Sequence, residues 1–295
     1  MITTKNRRAD LERALRSAVA QVPAVEVIVV DDGSADGSAE MVRDRFPGVR
    51  LERFEHSAGY IVRRNQAAEM ATTPVIVSID DDAEFSSSDT VAQTVAELGH
   101  PRVGAVAIPH IDVHRSPSPV LQMPPGDGVH VGPSYVGTAH AVTRSLFLDL
   151  GGYREELVHQ AEEHDFCARM LAAGWVVRLG RADPIRHYES PARDRGRQMF
   201  YWRRNDVLFA WHQVPLPYLV GRLAKAVIHG VVVGARERQL GPPLRGLWQG
   251  QVDFLRNMGS RAPMSRRLYR LDRALRQRRQ LPLEAIEGEL PAQRT

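Results

Sequence analysis

Three consecutive carboxylates, Asp80, Asp81 and Asp82, follow the apolar, β-branched run at residues 75–79. Such a run predicts a buried strand. Like charges a few ångströms apart raise each other's pKa or recruit a cation, and oxygen ligands at a strand end suit Mg²⁺ or Mn²⁺. A solvated acidic turn that caps the next helix is the alternative, because Asp is common in turns and at helix N-caps.

The elements that position these carboxylates alternate between strand and helix. Apolar residues at helical spacing predict a helix over residues 7–20, and the periodicity then follows the order strand, helix, strand, helix, strand. This order predicts a doubly wound α/β sheet, in which ligands bind beyond the carboxyl ends of the strands. Asp31 and Asp32 end the strand predicted at residues 26–30, so we expect them to face the same crevice as the aspartates at 80–82.

A third acidic group begins the helix predicted over residues 162–173. Glu162, Glu163 and Asp165 lie in its first turn, where the helix dipole favours negative charge. Asp165 can also pair with Arg169 one turn later. Complementation of the helix dipole is therefore one explanation of this group, and a catalytic carboxylate is the other.

The composition fits a globular protein with one large α/β domain and a smaller appendage. Of the 295 residues, 39 Lys plus Arg stand against 35 Asp plus Glu, and this excess of +4 does not argue for a nucleic-acid partner. Basic residues far outnumber acidic ones from 193 to 279, which favours contact with phosphate or an anionic membrane. A packed helical tail with solvated arginines is the alternative.

Cysteine usage and apolar segments bear on the compartment. The single cysteine, Cys167, excludes an intramolecular disulfide and fits a reducing, cytoplasmic environment. The N-terminal residues lack the apolar core of a secretion signal. The most apolar stretch, residues 217–234, is interrupted by two basic residues and a histidine, so we expect a peripheral or packed helix before a spanning one.

Taken together, these motifs resemble family 2 of the inverting nucleotide-sugar glycosyltransferases, which have the GT-A fold. The triple aspartate resembles the family's DxD motif, and residues 162–166 resemble its acidic E-D-x-D block. The resemblance implies a GT-A catalytic domain over residues 1–210, with a doubly wound, Rossmann-like, mostly parallel central sheet and flanking helices. A basic, amphipathic helical extension is expected over residues 211–295.

The resemblance also implies roles for individual residues. The nucleotide sugar is expected to contact Thr4, Asn6, Asp31, Asp32, Arg64, Asp80 and Asp81. Mn²⁺ or Mg²⁺ is expected to bind Asp82, Asp80 and His187, where His187 is followed by Ser190 and Pro191 in the matching segment. The expected catalytic base is Glu163, at a position where the family more often has aspartate, with Glu162, Asp165, Gly137 and Thr138 supporting the base or the acceptor.

The implied reaction moves a sugar from a UDP- or dTDP-sugar donor to a hydroxyl of a glycan or lipid-linked acceptor, with inversion at the anomeric carbon. Divalent cations and basic groups stabilise a diphosphate leaving group, and a carboxylate takes the hydroxyl proton. A nucleotidyltransferase would need a glycine-rich phosphate loop, and residues 4–10 contain no glycine. A non-catalytic nucleotide-sugar-binding module is the other alternative.

The beginning of the sequence departs from the family pattern. Family members usually carry several apolar residues before the Ile-x-Thr unit that begins here at Ile2. We therefore expect the first strand to be short or truncated, with fewer hydrogen-bond partners for its neighbours.

Overall fold

The computed structural model describes residues 1–189 and 194–293, so Ser190 and Pro191 lie outside the described residues. The strands are β1 (Ile2–Thr4), β2 (Ile28–Asp31), β3 (Arg50–Arg53), β4 (Val75–Ser78), β5 (Ala83–Phe85), β6 (Val103–Ala107), β7 (His110–Asp112), β8 (His130–Gly132), β9 (His140–Thr143), β10 (Val176–Leu179), β11 (Ile185–His187) and β12 (Leu281–Pro282). The helices are α1 (Arg8–Val19), α2 (Ser38–Arg45), α3 (Tyr60–Met70), α4 (Thr90–Ala96), α5 (Arg144–Asp149), α6 (Glu162–Ala172), α7 (Arg195–Gln213), α8 (Leu216–Arg236), α9 (Gly241–Arg256) and α10 (Arg266–Arg278).

The α/β layer begins with the parallel sheet β1-β2-β3. A mixed sheet follows, in the order β12-β8-β10-β6-β9-β4. Met1 connects the two sheets, because its amino group donates to Val77 O at 2.6 Å and its carbonyl accepts from the amide of Ile79 at 3.3 Å. The short strand β1 is therefore held from both sides.

Strand direction changes after β6. The predicted parallel pairing holds for β1 to β3 and for β6 with β10, whereas β9 runs antiparallel to both β4 and β6. A parallel return requires a long crossover, usually helical, and residues 108–139 between β6 and β9 form no helix. This segment contains the short strands β7 and β8.

Burial follows the apolar pattern. All five residues of β6 are buried, as expected for a strand covered on both faces. Helix α1 buries Leu11 and Leu15 completely against the sheet, and each contributes about 1.5–3 kcal/mol by leaving water. Tyr135, Tyr153 and Phe166 belong to a second buried cluster, which lies beneath α6.

The C-terminal helices pack on one another through glycines and stacked rings. A Cβ at Gly246 would stand 2.2 Å from Phe200 O, so α9 lies directly against the backbone of α7. Trp211 of α7 stacks on Phe254 of α9, with ring centroids 4.4 Å apart. The division expected between residues 210 and 211 falls within α7.

Helix α8 is unusual in its exposure. Among the described residues it is the one helix long and apolar enough to cross a membrane, judged by length and composition alone. Only 17% of its most apolar window is buried within the protein. We expected a peripheral or packed helix at residues 217–234. Only one face of α8 is packed against the protein, and it buries Leu219, Ala226, Gly230 and Gly234.

Candidate active site

The three aspartates occupy the turn between β4 and β5, beside the end of β1. Thr4 Oγ1 donates to Asp81 Oδ2 at 2.8 Å, and Arg7 Nη1 lies 2.5 Å from Asp82 Oδ2. Burial raises the pKa of Asp81 to about 7, although Arg7 and Thr4 act in the opposite direction. Asp81 is bound by Thr4, while Asp80 and Asp82 lie together with His187.

Asp80, Asp82 and His187 offer one ligand atom each, and these atoms lie within 4.8 Å of one another. Strand β11 delivers His187 by antiparallel pairing with β5, where it stands opposite Ala83. Its Nε2 is 3.3 Å from Asp82 Oδ1. Burial would raise the pKa of Asp82, but the contacts with His187 and Arg7 outweigh burial and lower the pKa to about 2.

This donor set fits a divalent cation. Two carboxylate oxygens and one imidazole nitrogen converge, and carboxylates suit Mg²⁺ and Mn²⁺ while imidazole favours transition metals. An ionised Asp82 is ready to act as a ligand. Arg7 occupies its second oxygen, so a cation would share Asp82 with a guanidinium.

Glu163 lies in the first turn of α6 and faces Gly137. The Gly137 amide hydrogen-bonds the Glu163 carboxylate, and a Cβ at Gly137 would stand 2.6 Å from both Glu163 Oε1 and Arg64 Nη1. Burial raises the pKa of Glu163, and the Arg64 guanidinium opposes this rise. The site therefore holds a carboxylate of increased basicity in close contact with backbone and arginine.

Arg64 of α3 connects the metal-ligand cluster with the base. One guanidinium nitrogen, Nη2, pairs with Asp80, and the other, Nη1, lies 3.1 Å from Glu162 Oε1. Glu162 also accepts a hydrogen bond from the Tyr60 hydroxyl at 3.1 Å. Because Arg64 is buried, its charge is weakly screened and acts on the carboxylates at both ends.

Asp165 has a structural position. It accepts hydrogen bonds from Arg169 Nε at 2.8 Å, Gln213 Nε2 at 2.9 Å and Arg154 Nε at 3.2 Å. The predicted pairing of Asp165 with Arg169 is thus present. Both carboxylate oxygens are engaged, so Asp165 fixes α6 against α7 and the loop before α6. Among the three acidic residues of this turn, Glu163 is the one that lies at the Gly137 contact.

The two aspartates after β2 differ in their partners. Asp32 accepts from Ser57 Oγ, Ala58 N, Gly59 N and Arg63 Nε, all within 3.0 Å. Burial would raise the pKa of Asp32, and these hydrogen bonds lower it overall. Asp32 thereby holds the loop that begins α3.

Asp31 keeps one atom available. Its Oδ1 accepts from Ser34 N at 2.8 Å, while its buried Oδ2 has no hydrogen-bond donor among the residues described. Asn6 joins the loops after β1 and β2, since its side-chain Oδ1 accepts from Ala35 N and its backbone N–H donates to Ser34 Oγ. Thr138 Oγ1 accepts from the amide of Asp80 at 3.3 Å. Several of the predicted site residues therefore hold the loops that carry the others.

Comparison with known proteins agrees with this geometry. Residues 1–125 match the model of the family described as "Glycosyl transferase family 2". Over these 125 residues the chain is similar to glycosyl transferase family 2. The succinoglycan biosynthesis protein ExoU of Rhizobium meliloti is 31% identical over 198 residues, which cover 59% of this chain and 56% of ExoU. The N-acetylglucosaminyl-diphospho-decaprenol L-rhamnosyltransferase of Mycobacterium tuberculosis is 26% identical over 72% of this chain and 86% of its own length.

The chain spans about half the length of ExoU and of a pre-mycofactocin glycosyltransferase of Mycobacterium tuberculosis, which are among the curated relatives it matches. Solved structures share the fold. The mannosyltransferase PcManGT from Pyrobaculum calidifontis, in complex with GDP-Man and Mn²⁺, has a TM-score of 0.58 and 20% identity over 98% of this chain and 83% of its own. TarS 1–349 of S. aureus in complex with UDP has a TM-score of 0.58 and 18% identity, over 79% of this chain and 71% of the TarS chain. The predicted GT-A fold is confirmed.

Two supports of the candidate site were absent from the sequence prediction. Arg7 pairs with Asp82, and Asn205 of α7 donates to the carbonyls of Leu157, His159 and Gln160 at 2.8–3.0 Å. The loop that Asn205 holds leads directly into α6, and Val158, Gln160 and Ala161 in it have positive φ. An asparagine within a long helix, where its intrinsic propensity is poor, was the available signal.

Proposed function

We propose that this chain transfers a sugar from a nucleotide-diphosphate sugar to an acceptor hydroxyl, with inversion, and that Glu163 is the general base. The observation that carries the proposal is the meeting of Glu163 and Arg64 at Gly137, with Asp80 on the other side of Arg64. A base carboxylate and a diphosphate-binding cluster are thus joined through one guanidinium. The names of two relatives, a rhamnosyltransferase and a pre-mycofactocin glycosyltransferase, support the same reaction class.

On the donor side, we assign the nucleotide base to Asp31 and the diphosphate to the metal-ligand cluster. Asp31 Oδ2 accepts no hydrogen bond from the described residues, although Arg53 Nε lies 3.7 Å away, and it is a buried acceptor suited to an N–H group of a pyrimidine such as uracil or thymine. Asp80, Asp82 and His187 would hold Mn²⁺ or Mg²⁺. When bound, this cation supplies positive charge to the leaving diphosphate. The complexes of PcManGT with Mn²⁺ and of TarS with UDP support these assignments.

On the acceptor side, Glu163 takes the proton of the attacking hydroxyl. The acceptor oxygen forms a bond to the anomeric carbon while the bond to the diphosphate oxygen breaks, and the proton moves to a Glu163 carboxylate oxygen. Attack opposite the leaving group in one step inverts the anomeric centre. Glu162 and Asp165 are engaged with other donors, so they serve as positioning residues.

Two variants test the donor and base assignments separately. We expect UDP- or dTDP-sugars to raise the melting temperature when Mn²⁺ or Mg²⁺ is present, and Asp82→Ala to remove this shift. Glu163→Gln should keep the shift and abolish transfer, because the amide cannot accept the proton. A shift that needs no metal and survives in Asp82→Ala would exclude the metal role. Full transfer by Glu163→Gln would exclude the base assignment.

We also propose that residues 1–210 form the catalytic domain and that the extension over 211–295 brings it to a membrane-borne, lipid-linked acceptor. The relative named for a diphospho-decaprenol substrate supports an acceptor of this class. Helix α8 exposes Leu216, Val220 and Ile228, and α9 exposes Trp248 and Leu255. Exposed apolar residues on basic helices are typical of contact with a membrane surface.

A further inference from the structure

A second cavity lies apart from the active site, between helices α6, α7, α8 and α10. Its volume is about 630 Å³, within the range of about 300–1,000 Å³ that is typical of small-molecule sites. Residues of the proposed donor and base sites do not line it. The cavity therefore requires an explanation of its own.

The cavity is cationic. Five Arg or Lys side chains and two Asp side chains line it, which gives a formal charge of +3 with its histidines neutral. The aspartates are already paired: Asp206 with Arg203 at 2.9 Å and with Arg222, and Asp272 with Arg276 at 2.8 Å. The remaining positive charge has no counter-ion in the cavity wall.

Three donors remain unused within residues 1–189 and 194–293. Lys225 and Arg273 line the cavity and form no ion pair or hydrogen bond with a described side chain. Arg276 Nη2 is buried and has no hydrogen-bond partner among the same residues. A buried guanidinium nitrogen without an acceptor is costly. An anion with several acceptor oxygens would pair with Lys225 and Arg273, while the charge of Arg276, which lines the same cavity, would attract it further.

The apolar face of α8 lies beside this cavity. Lys225 and Arg222 stand on the face of α8 that lines the cavity, together with Tyr218. On the same helix, Val220 is 77% exposed and Ile228 is 65% exposed, and neither belongs to the buried face of α8. One helix thus carries a basic face, on which Arg222 is paired with Asp206 and Lys225 is not paired with any described side chain, next to an exposed apolar face.

We infer that the cavity binds the phosphate headgroup of an anionic membrane lipid, while the apolar face of α8 contacts the acyl region of the same bilayer. The inference rests on the membrane contact proposed above and specifies its partner. The phosphate supplies the acceptor oxygens that Lys225 and Arg273 lack, with guanidinium groups suited to bind phosphate in bidentate fashion. The adjoining apolar face favours a lipid over a soluble phosphate.

The test compares two double variants that remove equal charge. Lys225→Ala with Arg273→Ala removes exposed cavity cations, and Arg236→Ala with Arg245→Ala removes exposed arginines of α8 and α9 that lie outside the cavity. Sedimentation is measured with phosphatidylcholine vesicles that contain phosphatidic acid or phosphatidylglycerol, matched for surface potential. The first lipid presents a terminal phosphate that can enter a cavity, whereas glycerol covers the second.

We expect the wild-type protein to prefer phosphatidic acid and the cavity variant to lose this preference. Its affinity for phosphatidic acid vesicles should fall about 30-fold, since each cation at an anionic surface contributes about fivefold. The control variant should weaken binding to both vesicles equally and keep the preference. Loss of the preference in both variants, or in neither, would overturn the inference.

Two further measurements distinguish failure of the lipid site from failure of the proposed transferase function. Glycerol 3-phosphate is titrated in EDTA, and binding there without vesicle binding would assign the cavity to a soluble phosphate and overturn the inference. Val220→Asp with Ile228→Asp should abolish vesicle binding while leaving the glycerol phosphate response unchanged. Sugar transfer to a soluble acceptor is measured for each variant, so a failed vesicle assay with intact transfer would refute the lipid site and leave the transferase proposal standing.

Discussion

Gly137→Ala should disable the base, with a smaller effect on the donor site through Arg64. The backbone at Gly137 is compatible with alanine, because no left-handed φ is required there. The obstacle is space alone, since the added Cβ would stand 2.6 Å from Arg64 Nη1 and from Glu163 Oε1, and 2.8 Å from Arg64 Nη2. One methyl group therefore perturbs the base and its arginine together.

The expected magnitude follows from these distances. Ordinary contacts of a Cβ begin near 3.4 Å, so Glu163 and Arg64 must each move by about 0.8 Å. Misplacement of a reacting group by about 1 Å costs about 100-fold in rate, and overpacking of a buried site costs about 1–3 kcal/mol of stability. We expect kcat to fall about 30- to 100-fold, with the free energy of unfolding reduced by about 1–2 kcal/mol.

The assay measures release of the nucleoside diphosphate at saturating acceptor, beside donor binding by thermal shift. Gly48→Ala is the matched control, because nothing lies within 4 Å of its added Cβ, and it should keep full activity. Donor binding should persist in Gly137→Ala, since Asp31 and Asp82 are not displaced. Wild-type kcat in the Gly137→Ala variant would refute the close approach of Gly137 and Glu163 as a requirement for catalysis.

Two further outcomes are expected. Asn205→Ala should lower the free energy of unfolding by about 1–3 kcal/mol, because the carbonyls of Leu157, His159 and Gln160, which are buried or partly buried, lose this donor. Chemical denaturation beside the exposed control Asn257→Ala checks this expectation, and equal effects of the two substitutions would contradict it. Burial raises the pKa of Glu163 above its usual 4.5, so transfer should decline as pH falls through that raised pKa. A raised pKa means that the folded protein binds the Glu163 proton more tightly than the unfolded chain, so ionisation of Glu163 destabilises the wild type at high pH. Glu163→Gln should therefore be more stable than the wild type at pH 8, by about 1.4 kcal/mol per unit of pKa shift, and equally stable at pH 4. A stability gain at pH 4 would contradict the upward direction of the pKa shift.

Much of the local structure could be predicted from sequence. The helix expected over residues 7–20 is α1, one residue shorter at each end, and the helix expected at 162–173 is α6 with one residue fewer. These elements have strong apolar periodicity and clear endings, which local physics is sufficient to specify. Antiparallel β9 was not anticipated, because strand direction depends on the path of residues 108–139, and no local preference fixes that path.

The chemistry of the site was likewise determined by residue types. Aspartates at a strand end and glutamates at a helix N-terminus indicate cation binding and proton transfer wherever they are placed. The sequence alone could not rank Glu162, Glu163 and Asp165, because all three share one helical turn. The ranking follows from the donors near each carboxylate: Arg64 and Tyr60 for Glu162, and two arginines with Gln213 for Asp165.

Sequence by itself thus determined the fold class, the acidic motifs and the kind of reaction they support. Tertiary structure alone decided which carboxylate stands at the Gly137 contact, how β11 brings His187 to Asp82, and which cations of the C-terminal helices remain unpaired. The physical reason is the short range of the interactions that define the site. Hydrogen bonds and ion pairs act over about 3 Å, and residues as far apart in sequence as Arg64 and Glu162 reach that distance only when strands and helices pack.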